Sequence, residues 1–295
     1  MLPLVVAATV LAALAWRWRY VRNVEHRSLL NRTFGPDGIV VGGAGFELTR
    51  DASAPAILLL HGAGDTPQTL RYLGQSLFDR GFAISAPLLP GHGRTLRDFA
   101  RVTAAGLIDA ARAHYRALCE RHAWVGVIGV SMGGALAVQL ASENDLPALG
   151  LVAPYLAMPS RIARAARWAR LWGTVTPFVQ SSEGLSILDP AERDRSLAYG
   201  AFAANALHAL ALTLARSVAA LPRVKAPTLM IQSRADNRIS PDAAERVFAR
   251  LGAREKRLEW ISGAAHVITV DYGREHVFEL LGLWMETHRA MPADR

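Results

Sequence analysis

The sequence lacks residues on which several classes of protein depend. It has one cysteine, Cys119, so no disulfide can form within the chain and no cysteine metal cluster is present. It has no H-E-x-x-H motif and no clustered carboxylates, so a catalytic metal is not expected. It has no basic run interleaved with base-stacking aromatic residues and no repeat of solenoid length. These absences argue against a metalloenzyme, a nucleic-acid-binding module and a repeat protein.

What the chain does have is enough apolar residues for a full core. Hydrophobic types make up 51% of its 295 residues, which suits one large α/β domain with an inserted segment. The formal net charge of +8 comes mainly from arginines scattered among alanines. Such a scattered excess favours a solvated surface, with weak attraction to anionic membranes as a second interpretation.

An uncharged apolar run near the start of the sequence is followed at once by arginines. The run covers residues 2–16, and Arg17, Arg19 and Arg22 come directly after it. A bilayer core needs about 20 apolar residues, but long arginine side chains beyond a shorter run can extend to the membrane interface. We therefore predict a membrane anchor over residues 1–22. Because the positive charge follows the run, the rest of the chain is expected on the cytoplasmic side.

Two other interpretations of this segment stay open. A signal peptide cleaved near residues 13–15 (Ala-Leu-Ala) would make the protein secreted or periplasmic, although no basic residues precede the apolar run. An amphipathic arm, buried or lying at a membrane interface, is the other. Residues 23–45 are polar and rich in glycine, and we expect them to form a connector of loops around a short edge strand.

Apolar runs typical of buried strands alternate with helical patterns from Phe46 onwards. This alternation implies right-handed crossovers and a mostly parallel sheet with helices on both faces. In such sheets the chemistry lies at the carboxyl ends of the strands. Beyond the connector, the predicted strands begin at Phe46, Ala56, Phe82, Trp124, Leu149, Thr228 and Lys256.

Some seventy residues without a convincing strand follow the run at 149–153. Counting the edge strand of the connector, this insertion comes after the sixth strand. It is too long for a structureless loop in a compact domain, so residues 155–225 are predicted to form a helical cap on a core of residues 46–154 and 226–295. We expect part of this cap to line an apolar pocket, and one of its helices to be an ordinary crossover.

One strand ends in a pentapeptide with a specific chemical meaning. Residues 129–133 read G-V-S-M-G, after an apolar run and before the helix-forming residues 135–140. This is the strand, turn and helix context of a nucleophile elbow, in which a strained serine exposes its hydroxyl. The flanking glycines avoid a Cβ where strand and helix approach closely. Ser131 is therefore the candidate nucleophile, and an ordinary turn is the alternative.

A serine hydroxyl is a weak nucleophile at neutral pH and needs a base, an acid that orients the base, and donors for the oxyanion. The candidate base is His266, which follows the strand at 256–261, and the candidate acid is Asp236, which follows the strand at 228–232. The expected oxyanion donors are the backbone amides of Ala63 and Met132.

Rival residues have other expected roles. Asp242 lies in the acid loop but is expected to cap the helix after it. Asp271 follows the candidate base too closely to face it from another loop, and we expect it to start the final helix. His61 and His92 are expected to be structural hydrogen-bonding groups, and His288 to lie on the surface of the final helix.

Five motifs together resemble the α/β-hydrolase superfamily, in particular its bacterial monoacylglycerol lipases and small carboxylesterases. The resemblance implies the α/β-hydrolase fold, a triad of Ser131, Asp236 and His266, oxyanion amides at Ala63 and Met132, and no cofactor. It also implies medium-to-long acyl esters or monoglycerides as substrates. The motifs are H-G-A-G at 61–64, P-G-H-G at 90–93, G-V-S-M-G-G at 129–134, Q-S-R-A-D at 232–236 and H-V-I-T-V-D at 266–271.

The sequence thus predicts a serine hydrolase that cleaves carboxylic esters and associates with a membrane, with no nucleic-acid partner. Thioester, lysophospholipid or carbon–carbon bond hydrolysis on the same triad stays open, because one scaffold supports several reactions. A non-catalytic membrane-associated lipid-binding protein is the alternative from a different class.

Overall fold

The computed structural model describes residues 2–30, 32–181 and 186–289. Seven of the strands in this part of the chain form one sheet, in the order first, third, second, fourth, fifth, eighth and ninth. Two further strands pair with each other away from that sheet. The strands are β1 Phe46–Leu48, β2 Ala56–Leu60, β3 Ala83–Ala86, β4 Val125–Val130, β5 Leu149–Val152, β6 Phe178–Gln180, β7 Ala201–Ala203, β8 Thr228–Ser233 and β9 Lys256–Ile261.

The large sheet is mostly parallel. β1 runs antiparallel to β3, and the other neighbouring strands of the described sheet run parallel. Every residue of β2 is buried, because Ile57 and Leu59 belong to the core on one face while Leu58 and Leu60 belong to the core on the other. A strand covered on both faces needs such a continuous apolar run. The predicted sheet class is confirmed.

Helices cover the sheet on both faces. The fourth, fifth and ninth helices pack together on one face, and the second and eleventh pack on the other. The helices are α1 Leu2–Leu29, α2 Arg71–Asp79, α3 Leu96–Phe99, α4 Ala104–Cys119, α5 Met132–Glu143, α6 Ser160–Arg167, α7 Ala169–Trp172, α8 Pro190–Arg195, α9 Ala204–Ala220, α10 Pro241–Arg250 and α11 Arg274–Arg289.

The insertion follows the fifth strand rather than the sixth. Residues 32–45 contribute an isolated bridge between Phe34 and Val40 instead of the expected edge strand, so the sheet has one strand fewer before β5. Within the insertion, β6 and β7 form a small antiparallel sheet beside the helices. α9 lies along α5 and α4, so it is the ordinary crossover helix that returns the chain to β8.

Helix α1 has an exposed half and a docked half. Its apolar residues from Leu4 to Trp16 are exposed, whereas Val24 and Ser28 are buried. Arg27 donates to the Gln180 side chain, and Glu25 pairs with Arg97. The helix continues to Leu29, so the first part of the expected connector is helical.

Two described helices are long and apolar enough to cross a membrane, namely Leu4–Leu29 and Ala204–Arg223. The second packs on α4 and α5 in the core, and 44% of its apolar window is buried. The first has a fully exposed window. An exposed apolar helix of this kind has the length and composition of a membrane anchor and also of a signal sequence.

Candidate active site

Ser131 lies in the turn between β4 and α5. Its backbone has φ 54° and ψ −117°, a strained conformation for a residue with a side chain. A Cβ on Gly133 would lie 1.9 Å from the carbonyl oxygen of Leu60, and one on Gly129 would lie 2.2 Å from the Gly133 oxygen. Strand and helix therefore approach so closely that only glycine fits at either flank, as the pentapeptide predicts.

The structure brings the three predicted side chains into one hydrogen-bonded chain. His266 Nε2 lies 2.8 Å from Ser131 Oγ, and His266 Nδ1 lies 3.0 Å and 2.9 Å from the two carboxylate oxygens of Asp236. A carboxylate only accepts, so Nδ1 carries the proton and donates it to Asp236. Nε2 is then left with the lone pair that accepts from the serine hydroxyl.

The carboxylate of Asp236 is buried and held from several sides. The backbone N–H groups of Arg238 and Ile239 donate to one of its oxygens at 2.7 Å and 3.0 Å, and Gln232 donates to the other. Burial by itself raises the pKa of Asp236. The hydrogen bond and charge of His266, together with the two backbone N–H groups, lower this pKa by more than burial raises it, so the net shift is downwards. The carboxylate is therefore ionised and fixed in orientation at neutral pH.

The sheet topology explains why residues so distant in sequence meet. β4, β5, β8 and β9 are parallel neighbours, so their carboxyl ends lie at one edge. Ser131 follows β4 directly, whereas Asp236 and His266 lie a few residues beyond β8 and β9. The Ser233 hydroxyl also donates to the Ala264 carbonyl oxygen, which joins the acid loop to the histidine loop.

The predicted oxyanion donors flank the serine. Met132 is the first residue of α5, where the amide N–H groups have no partner within the helix. Gly62, which precedes Ala63, lies close enough that a Cβ on it would sit 3.7 Å from Ser131 Oγ. Two chain segments thus lie beside the Ser131 hydroxyl, and the partial positive charge of backbone amides there would suit an oxyanion.

His61 supports this loop as a neutral group. Its Nε2 accepts from the Leu89 N–H at 3.0 Å, and its Nδ1 donates to the Gly62 carbonyl oxygen at 2.8 Å. Burial, and then the neighbouring His92, lower the pKa of His61 well below its usual value. Burial also lowers the pKa of His92 to about 4. Both histidines thus act as structural hydrogen-bonding groups, as expected.

Asp65 is a buried acid that sequence reasoning missed. Its carboxylate accepts from the Thr66 N–H and the Thr69 hydroxyl, both at 2.8 Å. Burial raises the pKa of Asp65 to about 6, although these hydrogen bonds oppose the rise. Its position directly after the glycine-rich loop and two residues before a proline is typical of a helix start, but Thr66 performs that role by capping the turn at Pro67–Leu70.

Asp271 does not start the final helix, which begins at Arg274. Its buried carboxylate accepts backbone N–H groups from two segments: Ala265 and Tyr272 in the histidine loop, and Leu188 and Asp189 in the insertion. A local helix-start pattern concealed this role, because both insertion donors are more than 80 residues away in sequence. Asp271 therefore connects the loop that carries the candidate base to the insertion.

Two smaller expectations are also wrong. Ser240, not Asp242, caps α10, since its side chain accepts from the Ala243 N–H. His288 is buried rather than on the surface, with hydrogen bonds to the Trp284 carbonyl oxygen and to Glu255. Both depend on side-chain directions that residue spacing leaves open.

Aromatic side chains from the insertion lie close to the candidate triad. The Tyr155 ring meets the His266 ring edge-on at 6.4 Å. Tyr199 stacks on Phe99 at 5.2 Å, and its backbone N–H donates to the Gly64 carbonyl oxygen. Within residues 2–30, 32–181 and 186–289, no group of three or more His, Cys, Asp or Glu side chains is placed to hold a metal ion.

Comparison with known proteins gives a consistent picture. Residues 51–272 match the family model described as Serine aminopeptidase, S33 (Hydrolase_4). The chain is 29% identical over 223 residues to a thermostable monoacylglycerol lipase of Bacillus sp. strain H-257, which covers 76% of this chain and 87% of that protein. It is 24% identical over 226 residues to a carboxylesterase of Bacillus subtilis strain 168, covering 76% and 89%.

A solved structure agrees with these relatives. The fold is similar to that reported for the metagenome-derived lipolytic enzymes LipS and LipT, with a TM-score of 0.76 and 27% sequence identity. This similarity covers 88% of the present chain and 100% of the other. It therefore extends over the sheet, its helices and the insertion.

Proposed function

Because the chain belongs to the serine aminopeptidase S33 (Hydrolase_4) family of α/β-hydrolases and is a serine hydrolase of the lipase and esterase type, we propose that it cleaves carboxylic esters with lipid-like acyl chains. The observation that carries this proposal is the chain of hydrogen bonds from Ser131 through His266 to Asp236. A serine with a base in contact and an ionised acid behind the base is the arrangement that acyl transfer needs.

In the proposed mechanism, Ser131 Oγ attacks the ester carbonyl carbon as its proton passes to His266 Nε2. The negative charge of Asp236 stabilises the imidazolium that forms. The imidazolium then gives its proton to the departing alcohol, which leaves Ser131 acylated. Water repeats the sequence on the acyl-enzyme and releases the carboxylic acid.

The amides of Ala63 and Met132 would stabilise the oxyanion of each tetrahedral intermediate. Removal of one such donor costs about 3 kcal/mol of transition-state stabilisation in other serine hydrolases. Neither donor is a side chain, so the position of the backbone matters more than residue identity. The strained turn at Ser131 and the buried His61 both hold that backbone in place.

Three observations support a lipid-like substrate. The Tyr155 ring lies beside the candidate site, edge-on to His266, and apolar walls suit acyl chains. The relatives reported above include a monoacylglycerol lipase. The exposed apolar helix α1 would hold the enzyme where such lipids occur. Hydrolysis of a thioester, a lysophospholipid or a carbon–carbon bond would use the same triad.

We also propose the division of the chain made from its sequence. Residues 1–22 form a membrane anchor, residues 23–45 a connector, residues 46–154 and 226–295 the catalytic core, and residues 155–225 a cap over the site. The arginines after the apolar run support a cytoplasmic catalytic core. A signal peptide would instead leave the core outside the cytoplasm.

A labelling experiment tests the nucleophile. The wild-type protein should react with a fluorophosphonate probe, Ser131→Ala should not, and Ser142→Ala should react like the wild type because that serine lies in the last turn of α5. Absence of labelling in the wild type would favour the non-catalytic lipid-binding alternative.

A substrate panel tests the acyl preference. p-Nitrophenyl esters of rising chain length, a monoacylglycerol, a lysophospholipid and an acyl thioester would be compared by kcat/KM. We expect a maximum at medium or long acyl esters, because the site is bordered by aromatic rings. A maximum at acetate would identify a general esterase and contradict the lipid assignment.

A deletion tests the anchor. Removal of residues 1–16 takes away the exposed apolar half of α1 but keeps the docked half around Val24 and Ser28. We expect the protein to move from the membrane fraction to the soluble fraction while it retains ester hydrolysis in solution. An unchanged distribution between the fractions would refute the anchor.

A further inference from the structure

The insertion carries an exposed surface that is both basic and apolar. Its apolar members are Trp168, Leu171 and Val175, which are 58%, 68% and 57% exposed. The basic members lie on or next to the same short helices and are also exposed. We call the whole set the basic surface: Arg161, Arg164, Arg167, Trp168, Arg170, Leu171 and Val175.

The arginines of the basic surface have no acidic partners among the described residues. Within residues 2–30, 32–181 and 186–289, no ion pair involves Arg161, Arg164, Arg167 or Arg170. Other exposed arginines of the chain do pair, as Arg112 does with Glu143. A concentration of positive charge without internal neutralisation attracts an anionic partner from outside.

The basic surface meets helix α1 at the point where that helix changes from apolar to basic. Arg17 follows the last residue of the apolar run, and its Nε donates to the Val175 carbonyl oxygen at 3.1 Å. The backbone N–H of Gln180 donates to the Tyr20 hydroxyl one turn further along. The point at which α1 changes from apolar to basic therefore lies beside the apolar edge of the basic surface.

An unsatisfied group lies at this junction. Arg17 Nη2 is shielded from solvent and has no hydrogen-bond partner among the described residues. The guanidinium carbon of Arg17 lies 4.9 Å from the centre of the Tyr20 ring, so this charged group packs on an aromatic face. It lies where the headgroups would be if the apolar half of α1 were in a bilayer.

We propose that the basic surface lies on the headgroup layer of an anionic bilayer, beside the membrane-inserted half of α1. Arginines alternate with Trp168 and Leu171, so the guanidinium groups can contact lipid phosphates while the apolar side chains enter the acyl boundary. A basic, tryptophan-containing helix is typical of this environment. A protein partner would need acidic side chains facing a surface that is also apolar, whereas an anionic bilayer supplies both properties together.

This inference rests on the membrane attachment proposed above and adds a second contact to it. Attachment through α1 alone would leave the whole domain free to tilt and rotate together with that helix in the membrane. Contact through the basic surface would hold the insertion, and with it the candidate site, against the lipid layer. The two attachments differ in chemistry, since insertion of α1 is hydrophobic while the second contact depends on lipid charge.

A fluorescent probe on the full-length chain tests the second contact separately from the first. With Cys119→Ser as background, Leu171→Cys would be labelled with the environment-sensitive dye NBD. Leu283→Cys is the matched control, because Leu283 is 49% exposed on α11, on the other face of the sheet from α9. Each protein would be reconstituted with vesicles of phosphatidylcholine alone or of equal parts phosphatidylcholine and phosphatidylglycerol.

We expect the probe at position 171 to shift to the blue and brighten with phosphatidylglycerol vesicles, and the probe at 283 to keep its emission in water. Replacement of the four arginines of the basic surface by glutamine should abolish the shift at 171 while the protein still floats with the vesicles. The control variant replaces four other exposed arginines by glutamine. They lie on the segments that lead into β8 and β9 and are Arg216, Arg223, Arg250 and Arg254. This variant removes the same charge and should keep the shift.

Three results would overturn the proposal in distinguishable ways. Flotation with an unshifted probe at 171 would remove the second contact and leave the anchor intact. Failure of the protein to float would remove both attachments, but neither result bears on ester hydrolysis. A blue shift that needs no lipid and grows with protein concentration would identify a second copy of this chain as the partner.

Discussion

The charged side chains at the carboxyl edge of the sheet and those on the basic surface differ in burial and in their partners. At the edge, the Asp236 side chain is buried and its carboxylate accepts hydrogen bonds from His266 and from backbone N–H groups. On the basic surface, arginines such as Arg161 and Arg164 stay exposed and form no ion pair with any described residue. The first region is complete within the chain, whereas the second needs an anionic partner from outside.

This difference predicts different responses to salt. Buried, hydrogen-bonded charges are screened little by dissolved ions, while exposed charges lose most of their attraction beyond the Debye length, which is about 8 Å at physiological ionic strength. Hydrolysis of a soluble ester should therefore be insensitive to salt over a range in which contact with anionic lipid is lost.

Asp271 joins the histidine loop at the carboxyl edge to the insertion that carries the basic surface, which makes the comparison testable. Its carboxylate holds the histidine loop through the Ala265 N–H and the insertion through the N–H groups of Leu188 and Asp189. The Val267 N–H adds a second link, to the Ser186 carbonyl oxygen. A change on one side of this junction is therefore transmitted by direct bonds to the other.

The largest expected effect comes from Ser131→Ala. Loss of the nucleophile should lower kcat for a p-nitrophenyl ester by about 10⁶-fold, as in other enzymes of this mechanism. Flotation with vesicles should not change, because the basic surface and α1 are intact. The double variant Ser131→Ala/His266→Ala should be no slower than the single one, and additive losses would contradict a single catalytic unit.

Asp236→Asn should have the next largest effect, about 10⁴-fold on kcat. An amide can donate as well as accept, so the imidazole loses the partner that keeps its proton on Nδ1. The variant should fold and keep KM, since the backbone donors of Arg238 and Ile239 still have an oxygen to bind. A loss below tenfold would show that another acid orients His266.

Asp271→Asn should slow hydrolysis by about 10- to 100-fold through displacement of the histidine loop. It should also destabilise the fold, since a buried donor left unpaired costs about 1 to 3 kcal/mol. Both kcat and the thermal midpoint would be measured, with the exposed Asp242→Asn as control. A lower midpoint with unchanged kcat would make Asp271 purely structural and separate the two regions.

Asp65→Asn should have the smallest effect, visible in the pH dependence of stability. Burial raises the pKa of Asp65 from 3.8 to about 6, so the folded state binds this proton more tightly than the unfolded state. Stability from this group therefore falls as pH rises from about 4 to 6. Above that range the free energy of unfolding of the variant should exceed that of the wild type by up to about 3 kcal/mol, and below it the two should differ little. Parallel curves of this free energy against pH would contradict a raised pKa for Asp65.

Asp236 should change the stability of the fold with pH in the opposite direction to Asp65. Its pKa is lowered in the folded state, so its contribution to stability is present above the pKa of the unfolded chain and is lost as the pH falls through the folded value. Two buried acids near one site thus change stability with pH in opposite directions. Their hydrogen-bond partners decide the sign.

The strands could be predicted from the sequence because their cause is local. β2 is buried on both faces and therefore needs an uninterrupted apolar run, which is visible without any knowledge of its neighbours. The turn at Ser131 was predictable for a similar reason, since the close approach at Gly129 and Gly133 excludes every larger residue. Asp236 and His266 lie a few residues beyond such strands, so strand ends alone were enough to select them.

The mistaken predictions for Asp271 and His288 concern contacts between distant segments. Asp271 bonds to Leu188 and Asp189, and His288 bonds to Glu255. The expected edge strand in residues 23–45 is absent from the described part of that segment because its residues form a single bridge, Phe34 to Val40. No periodicity within one segment carries information about such partners.

The sequence by itself determined the parallel sheet, the strained serine turn and the three polar side chains at the strand ends, because burial and backbone strain restrict which residue types a position accepts. Only the tertiary structure decided that Asp271 joins the histidine loop to the insertion, and that Arg17 brings the apolar end of α1 against Val175. Hydrogen bonds and charge depend on distances across the fold, and those distances exist only once the chain has packed.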